Sequence, residues 1–223
     1  MIELFEELAS TSGTLLERLA AGVAVPEGHW IIANRQTSGR GRRGRTWSDG
    51  RGNFMGSTFV ASHAGDPPLG TLSLAIGLAV REAVLKQIPG APAVMLKWPN
   101  DLLLEGAKLG GILIETVSRA ADDGAWAVIG VGLNVHSNAE RDAVLGDAVT
   151  SLDAAAHSLD RNMLLASIAD ALSAAMHEFD QQGLQPLLHQ QFRSRIGFGS
   201  QKIRRIHRFG YLQAVSRTGG RGS

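Results

Sequence analysis

From Leu69 to Gln87 the chain reads as a helix that is apolar on nearly every side, and such a helix must lie inside a fold rather than on its surface. Its neighbours in sequence are strand-like: Phe54 to Val60 before it, then Val94 to Lys97, Lys108 to Glu115 and Trp126 to Val135. His29 to Asn34 adds a short alternating strand, and Asp160 suits the N-cap of a long amphipathic helix through Met163, Ile168, Leu172 and Phe179. Residues 2 to 9 and 14 to 21 show apolar residues at helical spacing. Between them Ser10-Thr11-Ser12-Gly13 offers hydroxyls for a helix cap or a ligand contact. Strands gathered in the middle, with helices around them, predict an α+β class: a mixed β-sheet flanked by helices rather than a regular βαβ series.

A chain of 223 residues is long enough for one large domain with at most a small appendage. Lys and Arg number 22 against 21 Asp and Glu, so nothing global calls for a nucleic-acid or membrane partner, and any basic site must be local. The absence of cysteine removes disulfides, thiolate metal sites and a Cys nucleophile, and suits a reducing compartment; the cytoplasm is the expected location. The acidic start, MIELFEELAS, is unlike an export signal.

From Arg35 to Asn53 the composition shifts to Gly, Arg and Ser, which predicts an exposed loop. Its centre, GRGRRGRTW from Gly39 to Trp47, combines three glycines that free the backbone with four guanidiniums that offer forked donors to phosphate or carboxylate oxygens. The pattern satisfies G-x-G-x-x-G, but a dinucleotide fingerprint must open a helix, and Ser48 to Asn53 cannot continue one. A solvated linker and an RNA-binding segment are the other readings of this composition.

Three further blocks hold polar groups against apolar strands. Lys97-Trp98-Pro99-Asn100-Asp101-Leu102 ends a strand in a lysine, a rigid turn and two short polar side chains, which serve either a ligand or simply a turn. Lys108-Leu109-Gly110-Gly111-Ile112-Leu113-Ile114-Glu115 starts a strand with a lysine, a usual gatekeeper against edge pairing, and has two glycines where something approaches the backbone closely. In Ile129 to Val135, Asn134 is a polar residue in a buried-type run and needs partners, structural or ligand. No Walker A, H-E-x-x-H or G-x-S-x-G pattern occurs, and the seven histidines lack metal-ligand spacing, so no protein-held metal site is expected.

Ser10-Thr11-Ser12, Gln36 with GRGRRGRTW, KWPNDLLL, KLGGILIE and GVGLNV, in that order, resemble the catalytic domain of the biotin protein ligases over roughly residues 8 to 180. The resemblance implies a sheet related to those of class II aminoacyl-tRNA synthetases and lipoate ligases. It implies attack of the biotin carboxylate on the α-phosphate of ATP, with Mg²⁺ and release of pyrophosphate, then transfer from biotinyl-5'-AMP to a lysine of a biotin carboxyl carrier domain of a carboxylase. No tightly bound cofactor is implied. Lys108, Arg42 and Asp101 are the expected catalytic residues: Lys108 touching biotin carboxylate and phosphate, Asp101 orienting or deprotonating the carrier amine. Ser10, Thr11, Ser12, Gln36, Gly39, Arg40, Gly41, Arg42, Lys108, Gly110 and Gly111 are expected around biotin, and Arg40, Arg42, Arg43, Arg45, Trp47, Lys97, Asn100, Asp101, Lys108 and Asn134 around ATP or the adenylate. The cationic loop would fold over the ligands and exclude water.

Two departures bear on the expectation. Ser12 stands where many relatives carry Asn, and after Asp180 the chain has no acidic residue while arginines accumulate. Residues 1–185 are therefore expected to form the catalytic domain, and 186–223 a short basic segment in place of the usual small β-barrel, its end disordered. About nine residues precede Ser10, so no DNA-binding helix-turn-helix is expected. A sheet edge offers pairing with a second copy, giving a homodimer, or with the carrier. The alternatives are a lipoate or octanoyl ligase, and an inactive adenylate-binding or RNA-binding relative.

Overall fold

The computed structural model describes residues 1–47, 52–62, 69–88, 94–119, 124–138, 149–154 and 159–182. Within them the strands are β1 (Ile2–Leu8), β2 (Trp30–Gln36), β3 (Phe54–Ser62), β4 (Val94–Lys97), β5 (Asp101–Leu104), β6 (Ala107–Ser118) and β7 (Ala125–Leu133). The helices are α1 (Thr11–Ala20), α2 (Leu69–Gln87) and α3 (Arg161–Gln182). The strands form one sheet in the order β1-β2-β3-β7-β6-β5-β4. β1 and β2 pair in parallel across α1, and the other neighbouring pairs are antiparallel. The result is the mixed, helix-flanked sheet that the sequence predicts.

Register assigns the faces. Ser57, Gly130 and Leu113 lie in one row across β3, β7 and β6, and Gly132, Gly111 and Asp101 lie two residues away across β7, β6 and β5. Side chains alternate faces with a period of two, so these six positions belong to the same side of the sheet. α1 covers part of that side, where Leu15 and Leu19 close a buried cluster with Ile31, Phe59 and Val128. α2 lies on the other side: a Cβ on Gly77 would stand 3.1 Å from Leu96 and 3.5 Å from Ile112, the residue after Gly111. Leu72, Ile76, Val80, Ala83 and Val84 of α2 are buried because the sheet lies beneath the helix and α3 packs against it. Gln87 Nε2 also donates to Ser167 Oγ of α3 at 2.6 Å. Asp160 caps α3 as expected, its Oδ1 accepting from Asn162 N at 2.7 Å.

Three expectations change. The helical spacing at residues 2 to 9 is overridden, because the parallel edge of β2 satisfies the β1 backbone and the acidic residues of β1 find cross-strand or helix partners: Glu3 with Arg18, Glu6 with Asn34, Glu7 with Arg35. β5 is a strand where the sequence suggests only a turn; four residues give too short a period to recognise, and the strand exists by pairing on both edges. Met163 is 56% exposed, so the apolar stripe of α3 begins at Leu164 rather than there. The basic segment 186–223 lies outside the described residues.

Glu3 gives a pH prediction. The Arg18 guanidinium, bonded to both its oxygens at 2.8 and 3.0 Å, holds the Glu3 carboxyl below its ordinary value of 4.5 against some burial, and His29 Nε2 at 2.8 Å acts the same way. Asp153 is also lowered: burial would raise it, but bonds from Ser151 and Ser137 outweigh that. Folded, both carboxylates bind a proton less readily than when unfolded. Their stabilisation is therefore complete above the unfolded values and lost as pH falls through the folded ones. The denaturation midpoint is expected to fall below about pH 4.5, and Glu3→Gln to fall less steeply over the same range, measured by urea titration at several pH values.

Candidate active site

The site grows from the bare part of the sheet. Gly111, Gly130 and Gly132 leave a bare patch on one side of β6 and β7, bordered by Leu113 and next to the part that α1 covers. Over this floor lies a cavity of about 370 Å³, within the size range of small-molecule sites. Trp47 rests on the floor, half-buried: a Cβ on Gly132 would stand 2.6 Å from its Cζ2, and one on Gly111 would stand 3.6 Å from Cζ3. Only glycine admits the indole at residue 132.

At one end of the floor the turn from β1 into α1 brings hydroxyls together. Ser10 is the N-cap of α1, its Oγ accepting from Gly13 N at 3.2 Å and standing 3.2 Å from Ser12 Oγ. Thr11 N donates to Gln36 Oε1 at 2.7 Å, and Thr11 Oγ1 lies 2.8 Å from Ser57 Oγ. All five of these side chains are buried. The cluster is neutral and rich in both donors and acceptors.

The other end is ionic. A bulge between Leu102 and Leu103 of β5 puts Lys108, not Leu109, opposite Leu103, and Lys108 Nζ reaches Asp101 Oδ1 at 2.8 Å. A bulge re-aims side chains in this way. The same Nζ stands 5.8 Å from the Trp47 ring centroid, over its face. Asn100 is fixed by its Nδ2 donating to Ile112 O at 3.1 Å, and the preceding Trp98-Pro99 peptide is cis, with Pro99 O accepting from Ser73 Oγ at 2.9 Å. Lys97, Trp98 and Pro99 also line this end.

The arginine–glycine loop is a tight hairpin across the cavity. Trp47 N bonds Gly39 O at 2.9 Å and Gly41 N bonds Arg45 O at 2.8 Å. The turn between has Arg43 at φ 58 and Gly44 at φ 71, both left-handed. Arg42 Nη1 donates to Asn100 Oδ1 at 3.1 Å, and Arg40 Nη2 pairs with Glu115 Oε1 at 2.7 Å. Among the described residues, Arg43, Arg45 and Lys97 have no ion-pair or hydrogen-bond partner for their charged groups. The hairpin's guanidiniums are thus of two kinds, tied and free.

Of the residues singled out in the sequence, Ser10, Thr11, Ser12, Gln36, Arg40, Gly41, Arg42, Arg43, Arg45, Trp47, Lys97, Asn100, Asp101, Lys108 and Gly111 line the cavity. Gly39, Gly110 and Asn134 do not. A Cβ on Gly39 would meet Trp47 O at 2.7 Å, so this glycine serves the hairpin's own packing. Gly110 is pressed by β7, with a Cβ there 2.5 Å from Leu133 Cδ2. Asn134, 3% exposed, spends its amide on backbone, Nδ2 donating to Thr150 O at 3.0 Å and Lys108 O at 3.4 Å. Asn134→Ala is expected to cost about 1–3 kcal/mol of stability, read by urea denaturation, because buried carbonyls lose their donor. The sequence assigns no site role to Ser57, Gly130, Gly132 or Glu115, although the last three stand within the blocks Lys108 to Glu115 and Ile129 to Val135. The first three sit in phase with Gly111 once β3, β6 and β7 are paired, and only the pairing reveals that.

Residues 7–134 match the family model described as the biotin/lipoate A/B protein ligase family. The chain is 39% identical over 180 residues to the bifunctional ligase/repressor BirA of Escherichia coli K12, covering 80% of this chain and 54% of that protein, so it spans about half that relative's length. It is 37% identical over 199 residues to the biotin--[acetyl-CoA-carboxylase] ligase of Mycobacterium tuberculosis, covering 87% of this chain and 70% of that one. Among solved structures, the biotin protein ligase of Aquifex aeolicus in complex with biotin and ATP superposes with a TM-score of 0.71 at 27% identity, covering 85% of this chain and 75% of that one. The motifs, the sheet and the matched residues agree, and the chain belongs to the biotin/lipoate A/B protein ligase family.

Proposed function

We propose that this chain is an ATP-dependent biotin protein ligase, which forms biotinyl-5'-AMP with release of pyrophosphate and passes biotin to a lysine of a carboxylase carrier domain in the cytoplasm. The observation that carries this is the polarity of one cavity: a neutral cluster of Ser10, Thr11, Ser12 and Gln36 at one end, cations at the other, and a glycine floor under Trp47 between them. Biotin has the matching order of parts. Its ureido group needs both donors and acceptors, its ring and tail are apolar, and its far end is a carboxylate.

In the first step two anions meet. Lys108, with Arg42, Arg43, Arg45 and Lys97, would supply positive charge where the carboxylate approaches the α-phosphate, and preorganised charge of this kind is the main source of rate in phosphoryl and adenylyl transfer. The hairpin across the cavity would keep water from the mixed anhydride. In the second step Asp101, next to Lys108, would accept or orient the proton that the carrier amine must lose, since a free lysine has a pKa of about 10.4.

Among the described residues no group of three or more metal-ligating side chains occurs, and Asp101 is the sole carboxylate lining the cavity. Mg²⁺ commonly binds through substrate phosphates and keeps several waters, so here it would be held chiefly by ATP, where it would neutralise phosphate charge, and Asp101 stays paired with Lys108. No helix among the described residues is long and apolar enough to cross a membrane.

ATP- and Mg²⁺-dependent labelling of a biotin carboxyl carrier domain tests the proposal, with lipoate as competitor acid. Transfer of biotin and not of lipoate is the expected result. Preference for lipoate would make the chain a lipoate ligase, and salt-sensitive RNA binding without either transfer would make it a binding protein.

A further inference from the structure

We propose that Glu115 is a positioning residue, which pairs with Arg40 to tie the root of the arginine–glycine hairpin to the sheet and so holds Arg43 and Arg45 over the cavity. Glu115 lies on β6 in the row of Val128 and Phe59, just beyond the cavity floor and on the side of the sheet where α1 packs. Its Oε1 receives Arg40 Nη2 at 2.7 Å; its Oε2 is buried with no partner among the described residues. The carboxylate is 22% exposed, so its desolvation is compensated mainly through Arg40, unlike that of a solvated surface pair.

The location of the pair decides its role. Arg40 stands at the base of the hairpin, in an antiparallel bridge with Thr46, whereas Arg43 stands at the turn. The hairpin is anchored to two different parts of the fold, by Arg40 to β6 and by Arg42 to Asn100 beside β5. A two-point anchor across an opening fixes the lid in position, and it leaves Arg43 and Arg45 as the uncommitted cations. Arg40, expected from the sequence to serve biotin and ATP, is on this view a strut.

The kinetic consequence rests on the proposed ligase activity, but the structural one does not, and the experiment separates them. Hydrogen exchange of the Gly41 and Trp47 amides, whose N–H groups close the hairpin, reports its opening without any ligand. Glu115→Gln and Arg40→Ala should each speed that exchange about tenfold, and the double variant no further, as expected of one shared interaction. The charge swap Arg40→Glu with Glu115→Arg should restore protection in part, while thermal unfolding shows that each variant is folded. In the labelling assay Glu115→Gln should raise the KM for biotin and ATP more than it lowers kcat. Unchanged exchange in both single variants, or additive effects, would overturn the strut. A lower KM in Glu115→Gln would also overturn it, because Glu115 would then be competing with the ligand for Arg40. If the wild-type chain labels no carrier at all, the ligase proposal fails while the exchange data still decide the strut.

Discussion

Lys108→Ala is expected to lower biotin-dependent exchange of pyrophosphate into ATP by about 10²–10³-fold, the usual cost of removing one preorganised group that meets developing charge. The position of Lys108 is what predicts the size of the effect. The β5–β6 bulge holds its backbone, Thr150 N donates to its carbonyl at 2.9 Å, and Asp101 holds Nζ at 2.8 Å, so the charge is placed before any ligand arrives. Stability should change little, because the side chain is 37% exposed and a pair at that exposure contributes within about 1 kcal/mol. Lys108→Arg should restore only part of the rate, because a planar fork cannot take the place of a compact ammonium beside Asp101. Measuring exchange alongside urea denaturation separates lost chemistry from lost folding.

Gly132→Val is expected to reduce biotin-dependent exchange of pyrophosphate into ATP about 100-fold, the scale of a misplacement of roughly 1 Å in a preorganised site. A single Cβ at residue 132 would already stand 2.6 Å from Trp47 Cζ2 and 2.7 Å from Cε2, closer than real contacts allow. Residue 132, the last but one of β7, is paired with Met55 on one side and Gly111 on the other, so the backbone resists moving and the indole must give way. Trp47 in turn carries the hairpin through Trp47 N to Gly39 O, so moving the ring moves the lid. The neighbouring Gly130→Ala is the control: a Cβ there would meet Ser57 Oγ at 3.5 Å and Leu113 Cβ at 3.7 Å, ordinary contacts, so its effect should be much smaller. Biotin-dependent pyrophosphate exchange checks both variants, with urea denaturation showing that each is folded.

Legibility from sequence followed how far each signal is local. α2 and β4 appear with the bounds expected, because an all-round apolar helix and a short apolar strand are each written in consecutive residues. β1 did not, since Ile2, Leu4, Phe5 and Leu8 fit a helix as well as an edge strand and the decision comes from β2. The arginine–glycine segment, legible as a loop with an anion-binding composition, turned out to be a hairpin whose Trp47 is seated on Gly132. Which of its cations are free is also a long-range fact, settled by Glu115 and Asn100 at distances of 75 and 58 residues along the chain. Glycines misled most. Gly110 and Gly111 look alike in sequence, but alternation turns one toward the packing with β7 and the other toward the cavity.

On the proposed function, one cavity reads both ends of the same small acid. A crystal structure of the chain with biotin and ATP tests this most directly. The predicted result has the ureido group against Thr11 and Gln36, the ring and tail along the open part of the cavity beside Trp47, and the carboxylate within hydrogen-bonding distance of Lys108 Nζ. Biotin bound elsewhere, or bound here with its carboxylate toward Ser10 and its ureido group toward Lys108, would contradict it.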